Sequence, residues 1–383
     1  MIRQPAPRPP IDYRTIELDA SVLNIHPDMP ERRDLPIGVI GAGFIVRDCQ
    51  LVAYREAGFP VAAITSRTRE TAEEVASRHQ IPRVHNSVEQ LLDDPDVAVI
   101  DIAVPPGAQP GIINRILQHP RTPRGILAQK PLAFSLEDAK LIVSGCRRKG
   151  IPLQVNQNMR FDQSVRALKS LLNAGALGEP VLATIDMRAI PHWMPWAEAG
   201  RSLTTFLMSI HHLDTFRYWL GDPSRVLAST GPDPRTTFKH RDGVNLYILE
   251  FENGARALGC DDVWSGPARE GCPVELGVRW RFEGTRGLAL GTIGWPGWPD
   301  RVPSTIDYST LDEPGVWHRP RWPEAWFPDA FAGPMAGLLR AIEQSSEPDI
   351  SGRDNLRTIA LCDAVLRGAI EHRVTVPAVH PAT

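Results

Sequence analysis

Between residues 35 and 157 the apolar positions fall in short runs separated by helical stretches. Ile37-Gly38-Val39-Ile40 is a brief apolar run ending at glycines, the pattern of a buried parallel strand. Residues 61–65, 97–104, 125–128 and 153–155 predict four more buried strands, and 71–79, 111–118 and 135–149 predict helices between them. Strands alternating with helices at this spacing predict a parallel, doubly wound sheet. After residue 158 the rhythm changes. Strand-like runs follow one another at 181–190, 226–230, 245–251, 255–260, 274–282 and 288–292, and Glu252-Asn253-Gly254 has the chemistry of a hairpin turn. Successive strands with few helices predict a large, mostly antiparallel open sheet. Helices at 334–344 and 355–372 close the chain, with Pro334 suited to a first helical turn. Residues 1–33, with prolines at 5, 7, 9 and 10, read as an arm. The expected class is α/β: a first domain at 34–157 and a second, α+β domain at 158–383.

The length of 383 residues suits two domains. A net charge of −3 offers no footprint for nucleic acid and no polybasic face for lipid. No apolar stretch approaches the roughly 20 residues that cross a bilayer, and the first ten residues lack the apolar core of a secretory signal, so a cytoplasmic location is expected. Five scattered cysteines without a C-x-x-C point to neither a disulfide framework nor a metal site.

Gly41-Ala42-Gly43-Phe44-Ile45-Val46 lies between the first strand and the following helix. Two glycines there let the backbone turn and approach a pyrophosphate at a helix N-terminus, as in a Rossmann domain, although the third glycine of the usual motif is Val46. The second strand runs into Ser66-Arg67, and Glu70 is the first acid beyond it. A hydroxyl and a guanidinium suit a ribose 2′-phosphate, which favours NADP; Arg67 stacked on adenine would serve NAD equally. Val104, Pro105 and Gln109, after the third strand, are candidates to line the same crevice.

Gln129-Lys130-Pro131 follows the fourth strand, where the Lys130 ammonium can polarise a substrate oxygen while a hydride moves at the adjacent carbon. Residues 209–221 form a second cluster, a helix stopped by Gly221. His211, Asp214 and Tyr218 recur at helical spacing on one face, so a proton shuttle through His211 oriented by Asp214 is one reading and a self-satisfied buried pair is the other. His212 is turned away, so one histidine of the two is expected to face the cofactor, and a metal is not. His192, Trp193 and Trp196 sit in a proline-broken segment and are candidates for a substrate pocket wall.

In this order the pieces resemble the Gfo/Idh/MocA oxidoreductase family over nearly the whole chain. Residues 37–45 resemble its nucleotide loop. Gln129-Lys130-Pro131 is similar to its Glu-Lys-Pro, and Asn156-Gln157-Asn158-Met159-Arg160-Phe161 to its Asn-x-Arg-Phe stretch. Ile210-His211-x-x-Asp214 with Arg217-Tyr218-x-Leu220-Gly221 resembles its histidine helix, and Ser351-Gly352-Arg353-Asp354-Asn355-Leu356 the entry to its last helix. The resemblance implies a nicotinamide-dependent oxidoreductase acting on a sugar, polyol or related hydroxy compound, with Lys130 on the substrate oxygen and His211 as proton acceptor. It places Gly41, Gly43, Phe44, Ile45, Gln129 and Asn158 by the cofactor, and Arg160 and Tyr218 by the substrate. Two positions depart from the family: Leu207 stands where an Asp is frequent, and Gln129 replaces Glu. A redox-neutral enzyme using tightly held NAD, or a nucleotide-binding regulator on the same scaffold, are the alternatives. An uncovered sheet face in the second domain implies a homodimer or homotetramer.

Overall fold

Most strands of the first sheet are short apolar runs that end in a turn at the carboxyl end. The computed structural model describes residues 14–19, 23–188, 204–235, 239–262, 276–294 and 300–378. β1 (Arg14–Asp19) belongs to the second sheet. The first comprises β2 (Ile37–Ile40), β3 (Val61–Thr65), β4 (Arg83–His85), β5 (Val99–Ile102), β6 (Gly125–Gln129) and β7 (Leu153–Asn156), in the order β4-β3-β2-β5-β6-β7. All pairs are parallel. The strand order reverses between β2 and β5, which opens a crevice at their carboxyl ends. A π-helical turn (Ile45–Gln50) runs into α1 (Leu51–Ala57); α2 (Arg69–His79), α3 (Val88–Asp93), α4 (Gln109–Gln118) and α5 (Leu136–Arg148) follow. Local chemistry explains α5: Ser135 accepts a hydrogen bond from the Asp138 amide, acids fill the first turn and arginines the last. β4, three residues of mixed polarity, carries no apolar period and was not expected.

The second sheet has nine strands. To β1 it adds β8 (Pro180–Arg188), β9 (Arg225–Gly231), β10 (Val244–Glu250), β11 (Arg256–Asp262), β12 (Gly277–Gly284), β13 (Gly287–Ile293), β14 (Thr305–Thr310) and β15 (Val316–Arg321). Their order is β1-β15-β14-β13-β12-β8-β11-β10-β9, antiparallel except at β11–β8 and β1–β15. Gly254, at a φ of 90°, makes the expected turn between β10 and β11. Along β10, Asn245, Tyr247 and Leu249 point inward and are buried, while Leu246 and Ile248 point outward and are exposed. α6 (Gln163–Asn173), α7 (Ile210–Leu220) and α10 (Gly352–Glu371) bury apolar faces in the same core as that inner sheet face. The Trp219 indole donates to the Val165 carbonyl and the Trp280 indole to Ser164 Oγ, which ties α7 and β12 to α6.

Two features depart from the linear division at residue 158. Between α8 (Trp326–Asp329) and α10, helix α9 (Ala332–Gln344) lies on the first sheet, with Met335, Leu338 and Leu339 in one core with Ile37, Val39 and Leu127. Gly125 leaves room for it: a Cβ there would meet Ile342 Cδ1 at 2.8 Å. A helix from the far end of the chain thus completes the nucleotide domain. The arm supplies the other departure. β1 extends the second sheet, and the amides of Glu31 and Arg32 donate to Glu343 on α9. Residues 1–13 of the arm lie outside the described residues.

Candidate active site

At the end of β2, Gly41 has a φ of 119°, and a Cβ there would meet the Ala103 carbonyl oxygen at 2.2 Å. The fold itself demands that glycine. Gly43 is different: a Cβ would touch no atom of the described residues within 4 Å. A backbone bare of side chain over open space, at the start of a helix and on the reversal crevice, fits a pyrophosphate approaching closely. Phe44 and Ile45 are half-buried beside it, and Phe44 contacts Phe327 of α8. The helix behind this loop is held by a buried carboxyl: Tyr54 Oη donates to Asp101 Oδ2 at 2.8 Å and Gln50 Nε2 at 3.0 Å. Val104 is half-buried and Pro105 exposed at the neighbouring strand end. Ser66 is half-buried at the end of β3. Arg67 is exposed and no described residue pairs with it, whereas Arg69 is held by Glu73 and Asn86.

Lys130 leaves the end of β6 and crosses to the second domain, where its Nζ donates to the Leu207 carbonyl at 2.7 Å. Burial pushes its pKa down to about 8. Leu207 lies in a π-helical turn (Thr205–Ser209) that runs directly into α7, so the same contact brings Lys130 to the helix carrying His211. His211 is buried, and its Nδ1 has no partner among the described residues. Desolvation, then the nearby Lys130 and His212 charges, hold its pKa well below the ordinary 6.5, so the ring is neutral at pH 7. Trp326 stands edge-on to the ring, with centroids 5.3 Å apart.

Several expected site residues face elsewhere. Asp214 does not orient His211: Arg160 takes both its oxygens, at 2.5 and 2.7 Å, and Thr358 Oγ1 donates to Oδ1. Arg160 also holds Asp354 at 2.9 Å and is itself nearly buried, so its Nε and Nη2 are engaged with two carboxylates. A carboxylate and a guanidinium on adjoining elements satisfy each other before either reaches the histidine. Tyr218 sits two turns beyond His211, its ring between the Arg160 and Lys169 cations at 5.7 and 5.3 Å. Asn158 is buried, and its Oδ1 accepts from the Trp326 indole at 2.9 Å. Gln109, expected to line the crevice, is fully buried and its amide bonds to the backbone around Lys130. Gln129 Oε1 accepts from the Lys130 amide at 3.1 Å, and its buried Nε2 has no partner among the described residues. His192, Trp193 and Trp196 lie outside the described residues.

His212 turns to the sheet, as its register requires. Its Nδ1 lies 2.8 Å from Asp261 Oδ1, both fully buried, and Ser209 Oγ donates to the other oxygen of Asp261. No local pattern signals this partner, 49 residues away on a strand. Trp326 was hidden too, since a lone tryptophan among several reads as core; its indole bond and its contact with His211 are visible only in three dimensions.

Residues 35–157 match the model of an oxidoreductase family with an NAD-binding Rossmann fold, and residues 165–289 match the Gfo/Idh/MocA C-terminal domain. D-apiose dehydrogenase of Rhizobium rhizogenes is 26% identical over 351 residues, covering 89% of this chain and 96% of that protein. 1,5-Anhydro-D-fructose reductase of Ensifer adhaerens is 27% identical over 339 residues, covering 87% and 95%. An Agrobacterium radiobacter oxidoreductase, solved with NAD+, L-tartaric acid and magnesium, shares the fold with a TM-score of 0.75 at 24% identity, over 90% of this chain and 98% of that one. Aldose-aldose oxidoreductase of Caulobacter crescentus, solved with glycerol, shares it with a TM-score of 0.76 at 20% identity, over 90% and 100%. Among the described residues no helix is long and apolar enough to cross a membrane.

Proposed function

This chain belongs to the Gfo/Idh/MocA oxidoreductase family, and on that premise we propose that it is a dehydrogenase or reductase moving a hydride between a sugar or polyol carbinol and a nicotinamide dinucleotide. The observation that carries the reading is the bond from Lys130 Nζ to the Leu207 carbonyl, which joins the nucleotide sheet to the helix of His211. The relatives named as acting on apiose and anhydrofructose give the substrate class. When bound, the nicotinamide supplies the hydride acceptor or donor. Gly41 and Gly43 would take its pyrophosphate, and Phe44, Ile45, Val104, Pro105 and Gln129 would line the path to Lys130. The Lys130 ammonium has three hydrogens; one is on the Leu207 carbonyl, and among the described residues the others have no partner and can reach the reacting oxygen. Neutral His211 accepts the hydroxyl proton as charge builds on the oxygen, and Lys130 stabilises that charge.

The test is a panel of aldoses and polyols, following absorbance of the reduced cofactor with NAD and with NADP. Net reduced cofactor on turnover supports the reading. Product without it would transfer the protein to the redox-neutral class.

Arg67, without a partner among the described residues, lies beside Ser66 with Glu70 further on, which supports NADP as the preferred cofactor. Arg67→Ala is expected to weaken NADP binding by about 1.5–3 kcal/mol, the size of a charged hydrogen bond, and to leave NAD affinity unchanged. Fluorescence titration of both oxidised cofactors reads this directly, and tighter NAD binding by the unaltered protein would refute it.

The outer face of the second sheet supports a homodimer. Ile248, 42% exposed, sits in register between Leu227 and Leu258, with Leu246 beside it, so four outward apolar side chains are contiguous. Ile248→Asp is expected to convert a dimer to a monomer by light scattering. A monomer at micromolar concentration before substitution would overturn the assignment.

A further inference from the structure

Gln109 opens α4. Its side chain is fully buried, and it contacts both ends of the turn. Oε1 accepts from the Gln129 amide at 2.8 Å. Nε2 lies 2.7 Å from the Gln129 carbonyl and 3.1 Å from the carbonyls of Pro131 and Leu132. The Lys130 amide is taken by the Gln129 side chain at 3.1 Å. Backbone groups flanking Lys130 on either side are thus satisfied by side chains, not by the sheet ladder, which ends at Gln129. A primary amide is one side chain that both donates and accepts at this reach, so it can hold residues 129 and 131–132 at once.

We propose that Gln109 is a positioning residue: it holds the turn from Gln129 to Leu132 so that the Lys130 ammonium reaches the Leu207 carbonyl and the reacting oxygen beside His211. The inference rests on Lys130 acting in the reaction, as read above. Apolar filling alone would not explain a polar side chain here, because Leu or Met would occupy the volume without leaving amide groups to satisfy. The four bonds make sense if the turn, and not the surrounding core, is what must be fixed. Misplacing a reacting group by about 1 Å can lower a rate on the order of a hundredfold.

Gln109→Met keeps length and volume and removes every bond to the turn. Turnover is expected to fall about ten- to a hundredfold, with affinity for the oxidised cofactor held within about threefold, because the pyrophosphate loop is untouched. The decisive readout needs no turnover. The chain has five lysines, so Lys130 is resolved by mass spectrometry after competitive acetylation, with exposed Lys149 as internal reference. In the unaltered protein Lys130 is expected to titrate at about 8; in Gln109→Met the midpoint is expected to rise towards the ordinary 10.5 as the ammonium is released from its enclosure. A folded Gln109→Met with unchanged turnover and an unchanged midpoint would overturn the proposal. Should Gln109→Met lose its fold, Gln109→Asn decides: it keeps donor and acceptor but withdraws them by one methylene, and the same upward movement supports the proposal while an unmoved midpoint refutes it. If instead Lys130→Met leaves turnover intact, Lys130 has no part in the reaction, and the labelling result alone reports whether Gln109 fixes the turn.

Discussion

Lys130→Met is expected to lower turnover by about 10²–10³, the loss seen when one preorganised donor to a developing oxyanion is removed. Dinucleotide affinity is expected to change little, because Gly41, Gly43 and the helix behind them do not contact this side chain. The pH profile should carry the same signature. Burial lowers the Lys130 pKa to about 8, so the charged form that stabilises the oxygen is present below that value and is lost as pH rises through it. Turnover of the unaltered enzyme is therefore expected to fall above about pH 8, and the residual activity of the Met variant to lack that limb. Stability moves the other way. A folded-state pKa below the ordinary 10.5 means that the unfolded chain binds the extra proton between about 8 and 10.5. The penalty for holding a charged lysine is full below about pH 8 and disappears with rising pH through that window. Removing the charge should raise the melting temperature at pH 7 and leave it nearly unchanged above pH 10.5. A less active but more stable variant is what a charge kept in a cleft for chemistry would give. Full turnover in Lys130→Met would remove Lys130 from the site.

Features set by a few adjacent residues were legible in the chain, and features made by distant partners were not. The β2, β3 and β6 runs, the glycine turn after β2 and the hairpin at Gly254 each depend on a few adjacent residues, and the structure places them where the residues indicate. α6 is an instructive omission. Val165, Leu168 and Leu171 have helical spacing, but the N-cap that starts the helix is Asp162, a buried carboxylate accepting the Ser164 and Val165 amides, directly after the Arg160-Phe161 pair that drew attention as a motif. α9 was seen as a helix but not as part of the nucleotide domain, because the sheet it covers is about 200 residues earlier in the chain. In the site, the positions of Lys130 and His211 were readable from strand ends and helix register. The partner of Asp214 was not. Helical spacing put it beneath His211, while a guanidinium from another element, Arg160, offered a bidentate match that no imidazole can equal. His212 likewise found Asp261 on β11, so the adjacent histidine is a buried structural residue whose loss is expected to destabilise the fold.

His211→Ala is expected to lower turnover by about 10²–10⁴, the worth of general base catalysis, with cofactor affinity nearly unchanged because the residue belongs to the other domain. Without an Asp214 bond, what holds the ring is packing: Trp326 stands at 89° to it, and Asn158 fixes the Trp326 indole. The same enclosure sets the protonation state. Desolvation and the Lys130 and His212 charges keep the imidazole neutral well below its ordinary 6.5, so a competent base persists as pH falls through that value. Oxidation of a polyol is therefore expected to show no loss of rate at pH 6.5 and a decline only under more acidic conditions, where the ring finally takes a proton. His211→Asn preserves much of the volume but cannot accept the proton at useful strength, so it should be nearly as slow as His211→Ala while melting closer to the unaltered protein. The two profiles separate base from packing: a cavity effect would slow His211→Ala far more than His211→Asn, and a lost base slows both alike. Turnover retained in both variants would show that the proton leaves by another route and that His211 only lines the cleft.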